Sequence, residues 1–240
     1  MRWLVALLVL VGSVSVEAQE EKGAKLLQDF EKKLKAAKAY RVTFDMKYDA
    51  RKRPFSLKGE LLVTGNKLKS TVKGEDGDRP VDMTFLADGK SQARTTVLDG
   101  KPFTSRWEAR PKLGTTVTGL LARMGMFPLV SEGGTLVAPK SQPHPDQLQV
   151  KDFKLAGKEK LGDKQAHIAE YALELKDEPA SPKVACKIWF DTATNLPLKR
   201  TLEIRSKGQL FFSGGETYSR WEIDPEIKEG TFTMPNPTKK

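Results

Sequence analysis

The chain has 240 residues, and its 41 lysines and arginines against 31 aspartates and glutamates give a formal net charge of +10. A single cysteine, Cys186, excludes an internal disulfide, and two histidines without a His-x-His or His-x-x-x-His spacing argue against a metal site. The basic residues alternate along predicted strands, and no segment concentrates them with stacking aromatics, so nucleic acid is not an expected partner.

The first eighteen residues have the pattern of a Sec-type signal peptide. A short basic start is followed by an apolar run over 3–11, and Val16 and Ala18 occupy the two specificity positions before a cut. The apolar run is shorter than the ~20 residues that span a bilayer. We therefore expect a signal peptide over 1–18, cleaved after Ala18, and a single domain over 19–240 in the periplasm, with secretion as the other destination. We do not expect the cleaved protein to span a membrane, and no cysteine lies near the cut to carry a lipid.

The cleaved chain opens with an amphipathic helix over 21–40. Its apolar residues recur at helical spacing and its lysines and acids take the other face; the apolar set is Leu26, Leu27, Phe30, Leu34 and Ala37. A helix of this kind needs an apolar surface to cover.

From Tyr40 onward the apolar residues alternate with polar ones, which is the pattern of a half-buried strand. In 40–48 one face carries Tyr40, Val42, Phe44, Met46 and Tyr48. Similar segments follow, separated by glycine, asparagine and aspartate turns that favour antiparallel hairpins. They cover 55–65, 67–74, 81–89, 90–100, 101–109, 148–162, 164–175, 182–191, 196–206 and 209–223, which brings the number of strands to about eleven.

The alternation stops at Pro111. The second half of 111–127 predicts a short, methionine-containing helix that ends before Pro128, and 128–147 is a proline-rich loop. Such a helix joined to a long loop has the form of a lid. Because one strand face is apolar and the other charged, we expect a highly curved antiparallel sheet whose apolar face is covered by the helices, with a β-sandwich as the second interpretation.

Catalytic motifs are missing from the sequence. It has no G-x-S-x-G elbow, P-loop or G-x-G-x-x-G, and most carboxylates fall in turns or on polar strand faces. Of the two histidines, His144 lies in the proline-rich loop and His167 on a strand. We therefore assign no catalytic residue, metal ligand or cofactor, and do not expect an enzyme. A hydrolase of an envelope polymer, with two carboxylates about 5–10 Å apart, is the third functional hypothesis.

Apolar side chains on the covered face are either core or the lining of a cavity. An acyl chain gains about 0.8 kcal/mol per buried CH₂, so a cavity here could bind lipid without any catalytic group. Methionines suit such a lining because they repack around different ligands. The candidate ligand-binding residues are Val42, Phe44, Met46, Met83, Phe85, Leu121, Met124, Phe127, Ile188 and Phe190.

The segment KIWFDTATNLPLKRTLEI, residues 187–204, resembles a segment of the LolA-like superfamily, which includes outer-membrane lipoprotein carriers. In that family a strand ending in an aromatic residue and Asp leads through a polar turn to Leu-Pro and a basic strand. The leader followed by a helix and YRVTFDMKY, the hairpin LAGKEKLGDKQAHIAEYAL, and the closing PEIKEGTFTMP agree with the same family in the same order.

The resemblance implies a mainly β (α+β) fold. It is a strongly curved, unclosed antiparallel β-barrel of about eleven strands, with a long N-terminal helix and a short central helix covering a hydrophobic cavity. It makes Asp191 a turn residue that caps the backbone of residues 192–195. It also implies an arginine that holds the lid closed, for which Arg41, Arg51 and Arg53 are among the candidates.

Carriers of the family move acylated lipoproteins from an inner-membrane transporter to an outer-membrane receptor, and the superfamily also holds stress-sensing regulators and lipid-binding proteins. We therefore expect a carrier or chaperone for lipid or lipoprotein acyl chains, with an inner-membrane transporter or another envelope protein as a further partner. An envelope-sensing or protein-interaction module on the same fold is the alternative.

Overall fold

The computed structural model describes residues 16–50, 53–130, 145–176, 182–206 and 208–238. The helices are α1 (Val16–Ala36), α2 (Leu113–Met124) and the short α3 (Phe127–Val130), and a 3-10 turn covers Pro145–Gln147. The strands are β1 (Tyr40–Ala50), β2 (Arg53–Thr64), β3 (Lys67–Asp76), β4 (Arg79–Asp88), β5 (Ser91–Leu98), β6 (Lys101–Glu108), β7 (Leu148–Leu161), β8 (Lys164–Leu175), β9 (Lys183–Asp191), β10 (Pro197–Ser206) and β11 (Gln209–Ile223).

All eleven strands belong to one antiparallel sheet. Their order is β6-β5-β4-β3-β2-β1-β11-β10-β9-β8-β7, so sequence neighbours pair as hairpins and one long-range ladder joins β1 to β11. The sheet does not close, because β6 and β7 are its two edges. The mainly β, unclosed antiparallel architecture with a long N-terminal helix and a short central one is therefore confirmed.

Alternation along the strands produces an inner face that the helices cover. In β1, for example, Val42, Phe44 and Met46 are buried, while Lys47 on the other face is exposed. Helix α1 packs its apolar stripe onto this face, and the ring of Phe30 lies 6.0 Å from that of Phe190. Burial of this continuous apolar cluster is the main source of stability in a chain without a disulfide.

The helices differ from their predicted bounds. Helix α1 starts at Val16, ahead of the predicted cleavage site, and ends at Ala36, because Tyr40 already pairs with neighbouring strands as the first residue of β1. Helix α2 ends before Pro128, as predicted, but it starts at Leu113, ahead of the predicted second half of 111–127, and a second helix follows it. Gly125, with φ 80°, ends the first helix, and Pro128 is tolerated in the first turn of the next.

Part of the predicted 128–147 loop is structured. Residues 128–130 belong to α3, and a 3-10 turn leads into β7. Positions 131–144, including His144, lie outside the described residues.

The two ends of the sheet carry different connections. The β1/β2, β3/β4, β5/β6, β8/β9 and β10/β11 connections lie at one end, and the β2/β3, β4/β5, β7/β8 and β9/β10 connections at the other. Helix α3 sits at the first end, where Phe127 contacts the rings of Tyr48, Phe55 and Phe212. We call this end the α3 rim.

Candidate functional site

The sequence-predicted cavity residues come together on the inner face of the sheet. Seven are fully buried in the main apolar cluster, namely Val42, Phe44, Met46, Phe85, Leu121, Ile188 and Phe190. Met124 and Phe127 are partly buried and pack against that cluster. Met83 is also buried but is not a member of it. These side chains pack against one another between the sheet and the helical cover.

Helix α2 forms the middle of that cover. Its amino-terminal end approaches the β2/β3 turn so closely that a Cβ at Gly114 would lie 1.7 Å from the carbonyl oxygen of Gly65. One turn later the hydroxyl groups of Thr118 and Tyr40 are 3.0 Å apart. The start of α2 is therefore held by tight backbone contact and a buried hydroxyl pair.

The carboxyl-terminal end of α2 is held by a buried arginine. Arg200 on β10 is 0% exposed, and its guanidinium donates to the carbonyl oxygens of Leu121 at 2.9 Å and Ala122 at 2.7 Å. The last carbonyl groups of a helix lack partners within the helix and carry partial negative charge. Arg200 therefore caps α2 from the sheet.

A buried glutamate binds the other side of the same helix end. Glu216 on β11 is opposite Arg200 in the ladder and 1% exposed. Its carboxylate accepts the backbone N–H of Met126 at 2.7 Å and the hydroxyl of Tyr48 at 3.0 Å. We call Arg200, Glu216 and the turn at Gly125 that they enclose the latch.

Gly125 is required by the geometry of the latch. Its φ of 80° lies in the left-handed region, and a Cβ there would lie 1.9 Å from the carboxylate of Glu216. Only glycine allows the turn to approach both charged side chains.

The charges of the latch influence each other. Burial raises the pKa of the Glu216 carboxyl, although nearby Arg200 and the N–H of Met126 oppose the increase. Burial alone would lower the pKa of Arg200, but the surrounding Tyr171, Tyr218 and Glu216 outweigh it and raise that pKa. The guanidinium is therefore charged at every physiological pH.

Cys186 lies in the same interior. Burial raises the pKa of its thiol to about 12. The side chain is a thiol at neutral pH, which excludes it as a ready nucleophile.

A second polar tie joins α1 to α2. Arg123, in the last turn of α2, is 3.3 Å from the carboxylate of Glu31 on α1 and donates to the carbonyl of Leu148 at 3.1 Å. The hydroxyl of Tyr171 donates to the Arg123 carbonyl at 2.7 Å. Burial acts to raise the pKa of Glu31, but hydrogen bonds from Lys35 and Arg123 outweigh it and lower that pKa. The cover is thus tied together as a unit.

In the described part of the chain, neither Arg41 nor Arg53, two of the lid-arginine candidates named from the sequence, contacts the helical cover. Arg41 pairs with Glu222, and Arg53 pairs with Asp76 at the α3 rim, while Arg51 lies outside the described residues. The arginine that binds the cover is Arg200. The alternation of buried and exposed residues indicates this inward position, because Arg200 is two residues from buried Leu202 on the same face of β10. Glu216 likewise lies on the same face of β11 as buried Phe212 and Tyr218.

Asp191 has the turn role that the sequence predicts. Its carboxylate accepts the N–H of Ala193 at 2.9 Å, which confirms the backbone cap. Among the described residues it is, with Glu216, one of two buried carboxylates, and the two lie on opposite faces of the sheet. Within the same residues no group of three or more histidine, cysteine or acidic side chains could hold a metal ion.

The length and hydropathy of the helices bear on whether one of them could span a membrane. None of those in the described part of the chain combines the length and the apolar character needed to cross a bilayer.

Comparison with solved structures finds the same fold at low sequence identity. LprF from Mycobacterium bovis is 14% identical, with 91% of this chain and 98% of that one covered, at a TM-score of 0.51. Lipoprotein LppX from Mycobacterium tuberculosis is 11% identical, with 87% and 98% covered, at a TM-score of 0.50. A LolA superfamily protein from Nitrosomonas europaea is 11% identical over 88% and 97%, at a TM-score of 0.37, too low to support a structural argument by itself.

No curated protein sequence matches the chain significantly. A family model described as "Predicted periplasmic protein (DUF2092)" matches residues 23–240, which confirms the periplasmic location expected from the leader. The chain belongs to the DUF2092 family of predicted periplasmic proteins.

Proposed function

We propose that this protein binds the acyl chains of a lipid or lipoprotein between its helical cover and the inner face of its sheet. In this proposal it acts as a periplasmic carrier or chaperone, not as an enzyme. The observation that carries the proposal is the latch, which fastens the end of α2 to the sheet through buried charged groups. An inner-membrane transporter or another envelope protein is the proposed partner for loading or delivery.

The latch is an unusual way to fasten a purely structural cover. Buried charge pairs contribute little net stability compared with well-packed apolar side chains of similar volume. What they do provide is a choice between two defined arrangements, since a buried charged group that is released from its partners must become solvated. Arg200 and Glu216 contact the helical cover through backbone groups at the end of α2 and in the following turn. This arrangement suits a cover that has to separate from the sheet.

The energies allow an acyl chain to replace the closed contacts. Each hydrogen bond to a charged group contributes about 1.5–3 kcal/mol, so releasing the bonds to Leu121, Ala122 and Met126 costs several kcal/mol. A chain of fourteen carbons gains on the order of 10 kcal/mol when its CH₂ groups are buried. The gain is of the size needed to offset the released bonds and part of the repacking.

A fluorescent fatty acid tests the proposal. The exported protein is titrated with the probe, alongside Arg200→Lys, which keeps the charge but loses the two-pronged guanidinium, and Arg205→Lys on the exposed face of the same strand. We expect saturable binding by the wild type, faster uptake by Arg200→Lys and no change in Arg205→Lys. Folded wild type and Arg200→Lys that both fail to bind the probe would contradict the proposal and favour an interaction module.

A further inference from the structure

The largest exposed apolar side chains of the described residues gather at one end of the molecule. They are Leu98 (59% exposed) and Phe103 (42%) at the β5/β6 hairpin, and Leu210 (50%) and Phe211 (39%) at the β10/β11 hairpin. Both hairpin connections lie at the α3 rim. Exposed apolar residues scattered singly need no explanation, but four on two hairpins of one rim do.

The β5/β6 hairpin separates from the rest of the sheet toward its tip. The ladder between β4 and β5 ends at the pair Met83 and Thr96, so the following residues of β5 pair with β6 alone. Phe103 is opposite Thr96, and Leu98 lies two residues further along β5, so both side chains are on the same face of this ribbon. Exposed Lys101 is opposite Leu98, beside the turn.

The β10/β11 hairpin extends past the described end of β1, while β9 still pairs alongside it at Arg205 and Lys183. Among described residues the ladder between β1 and β11 ends at Ala50 and Phe212, and Leu210 beyond it pairs with Arg205 of β10. Five strand spacings separate β5 from β11, which corresponds to about 24 Å along the sheet.

Between the two hairpins, the α3 rim opens into an aromatic cleft. The cleft has a volume of about 390 Å³, and its lining combines the rings of Tyr48 and Phe55 with the charged side chains of Lys47, Asp49 and Glu75. The rings of Tyr48 and Phe55 stack with each other at 5.4 Å and continue into the rings of Phe127 and Phe212. Tyr48 and Phe212 are members of the buried interior cluster, so the cleft leads from the rim toward the proposed binding space.

We infer that the α3 rim docks on a lipid surface. The tips of the two hairpins insert Leu98, Phe103 and Leu210 below the headgroups, and the aromatic cleft between them then faces the acyl chains. Lys101 can remain at headgroup level while its neighbour Leu98 is buried, as long basic side chains do at membrane interfaces. This inference rests on the proposed function, because it supplies the route by which an acyl chain would enter.

A lipid surface fits these features better than a protein partner does. Protein interfaces have a contiguous apolar core, whereas here two small apolar tips stand about 24 Å apart on one rim. Separate apolar tips can insert into a fluid bilayer without a partner surface of complementary shape. The net charge of +10 is also complementary to anionic headgroups.

Vesicle flotation tests the inference with protein purified after export. We expect the wild type to float with phosphatidylcholine vesicles, and more strongly when phosphatidylglycerol is added. The double variant Leu98→Ser/Phe103→Ser and the variant Leu210→Ser should each bind at least about fivefold more weakly. Leu161→Ser changes a partly buried leucine at a hairpin of the opposite rim; it is the control for loss of apolar packing and, once circular dichroism shows it folded, should float like the wild type.

A labelled cysteine gives a second readout that does not depend on removing apolar side chains. Because Cys186 is buried, an environment-sensitive fluorophore can be attached selectively to Leu98→Cys, Leu210→Cys or, in the exposed β7/β8 turn of the opposite rim, Asp163→Cys. The first two labels should shift to shorter wavelength with vesicles and the third should not. Absence of flotation and of any label shift with both lipid compositions, or equal shifts at both rims, would overturn the inference.

Fatty-acid binding in vesicle-free solution separates this inference from the proposed function. Wild type that binds the probe but never floats would overturn lipid docking and leave the proposed function standing. If the wild type floats, the hairpin-tip variants float less, and the wild type does not bind the fatty-acid probe, the result would support docking and contradict the proposed function.

Discussion

Arg200 and Glu216 lie opposite each other on neighbouring strands and bind opposite sides of one helix end. Arg200 holds two carbonyl groups of α2, and Glu216 holds the N–H of Met126 immediately beyond the turn. Opposite charges are thus matched to the carbonyl and amide sides of the same backbone segment. The helical cover is positioned by this pair as well as by apolar packing.

Removing the guanidinium should strongly destabilise the protein. Arg200→Met leaves Glu216 buried without the neighbouring positive charge and the Ala122 carbonyl without its guanidinium donor, while the Leu121 carbonyl keeps only the N–H of Gly125; breaking buried charged contacts in this way costs about 3–5 kcal/mol. Urea denaturation measures the free energy of unfolding. Arg205→Met on the same strand should change it by less than about 0.5 kcal/mol, since Arg205 is exposed. Equal effects of the two substitutions would show that Arg200 has no special structural role.

The effect of Glu216 should depend on pH. Because its pKa is raised in the folded protein, the stability that it contributes is full below its ordinary value of 4.5 and is lost as the pH rises through the folded-state pKa. Glu216→Gln remains neutral throughout. The free energy of unfolding of the variant minus that of the wild type should therefore increase with pH above 4.5 and then level off. Other titrating groups cancel in this difference, so a flat or falling curve would contradict the raised pKa.

Replacing Gly125 should damage the latch without removing a polar group. In Gly125→Ala the Cβ would meet the Glu216 carboxylate at 1.9 Å and Arg200 at 2.8 Å, and we expect a loss of roughly 3 kcal/mol or more. Gly65→Ala is the matched control, because Gly65 also has a positive φ but no atom within 4 Å of its Cβ position. It should lose only about 1 kcal/mol. Thermal or urea unfolding compares them, and equal losses would leave backbone strain as the whole explanation.

Asp191 should matter for stability alone. Asp191→Ala removes the acceptor for the N–H of Ala193, which is expected to cost about 1 kcal/mol, as other backbone caps do. Asp191→Asn keeps a side-chain oxygen and should recover most of the loss. Fatty-acid affinity should be the same in all three proteins. A large change in affinity with unchanged stability would instead indicate a direct functional role.

The strands could be predicted from the sequence because the relevant physics is local. Alternation identifies a half-buried strand, and turns such as Gly65-Asn66 join sequence neighbours into hairpins. The pairing of β1 with β11 has no such local signal, since nothing in Val42 or Trp221 specifies the other as its partner. That ladder was therefore missing from the sequence interpretation, although the number of strands was right.

The latch was missed for a different reason. Its charged side chains bind backbone groups of α2, and backbone groups leave no trace in a side-chain pattern. The alternation did place Arg200 and Glu216 in phase with buried residues, a position where an unpaired charge would be costly. A charged residue at an inward-facing strand position is the signal that could have found them.

The central claim is most directly tested by native mass spectrometry of the protein purified from its exported compartment, followed by organic extraction. We expect a fraction of the molecules to carry a phospholipid, fatty acid or acylated peptide. That fraction should change in Arg200→Lys and remain as in the wild type in Arg205→Lys. A protein that is uniformly free of ligand, and that also rejects added lipid while folded, would contradict acyl-chain binding and make the buried inner face an ordinary core.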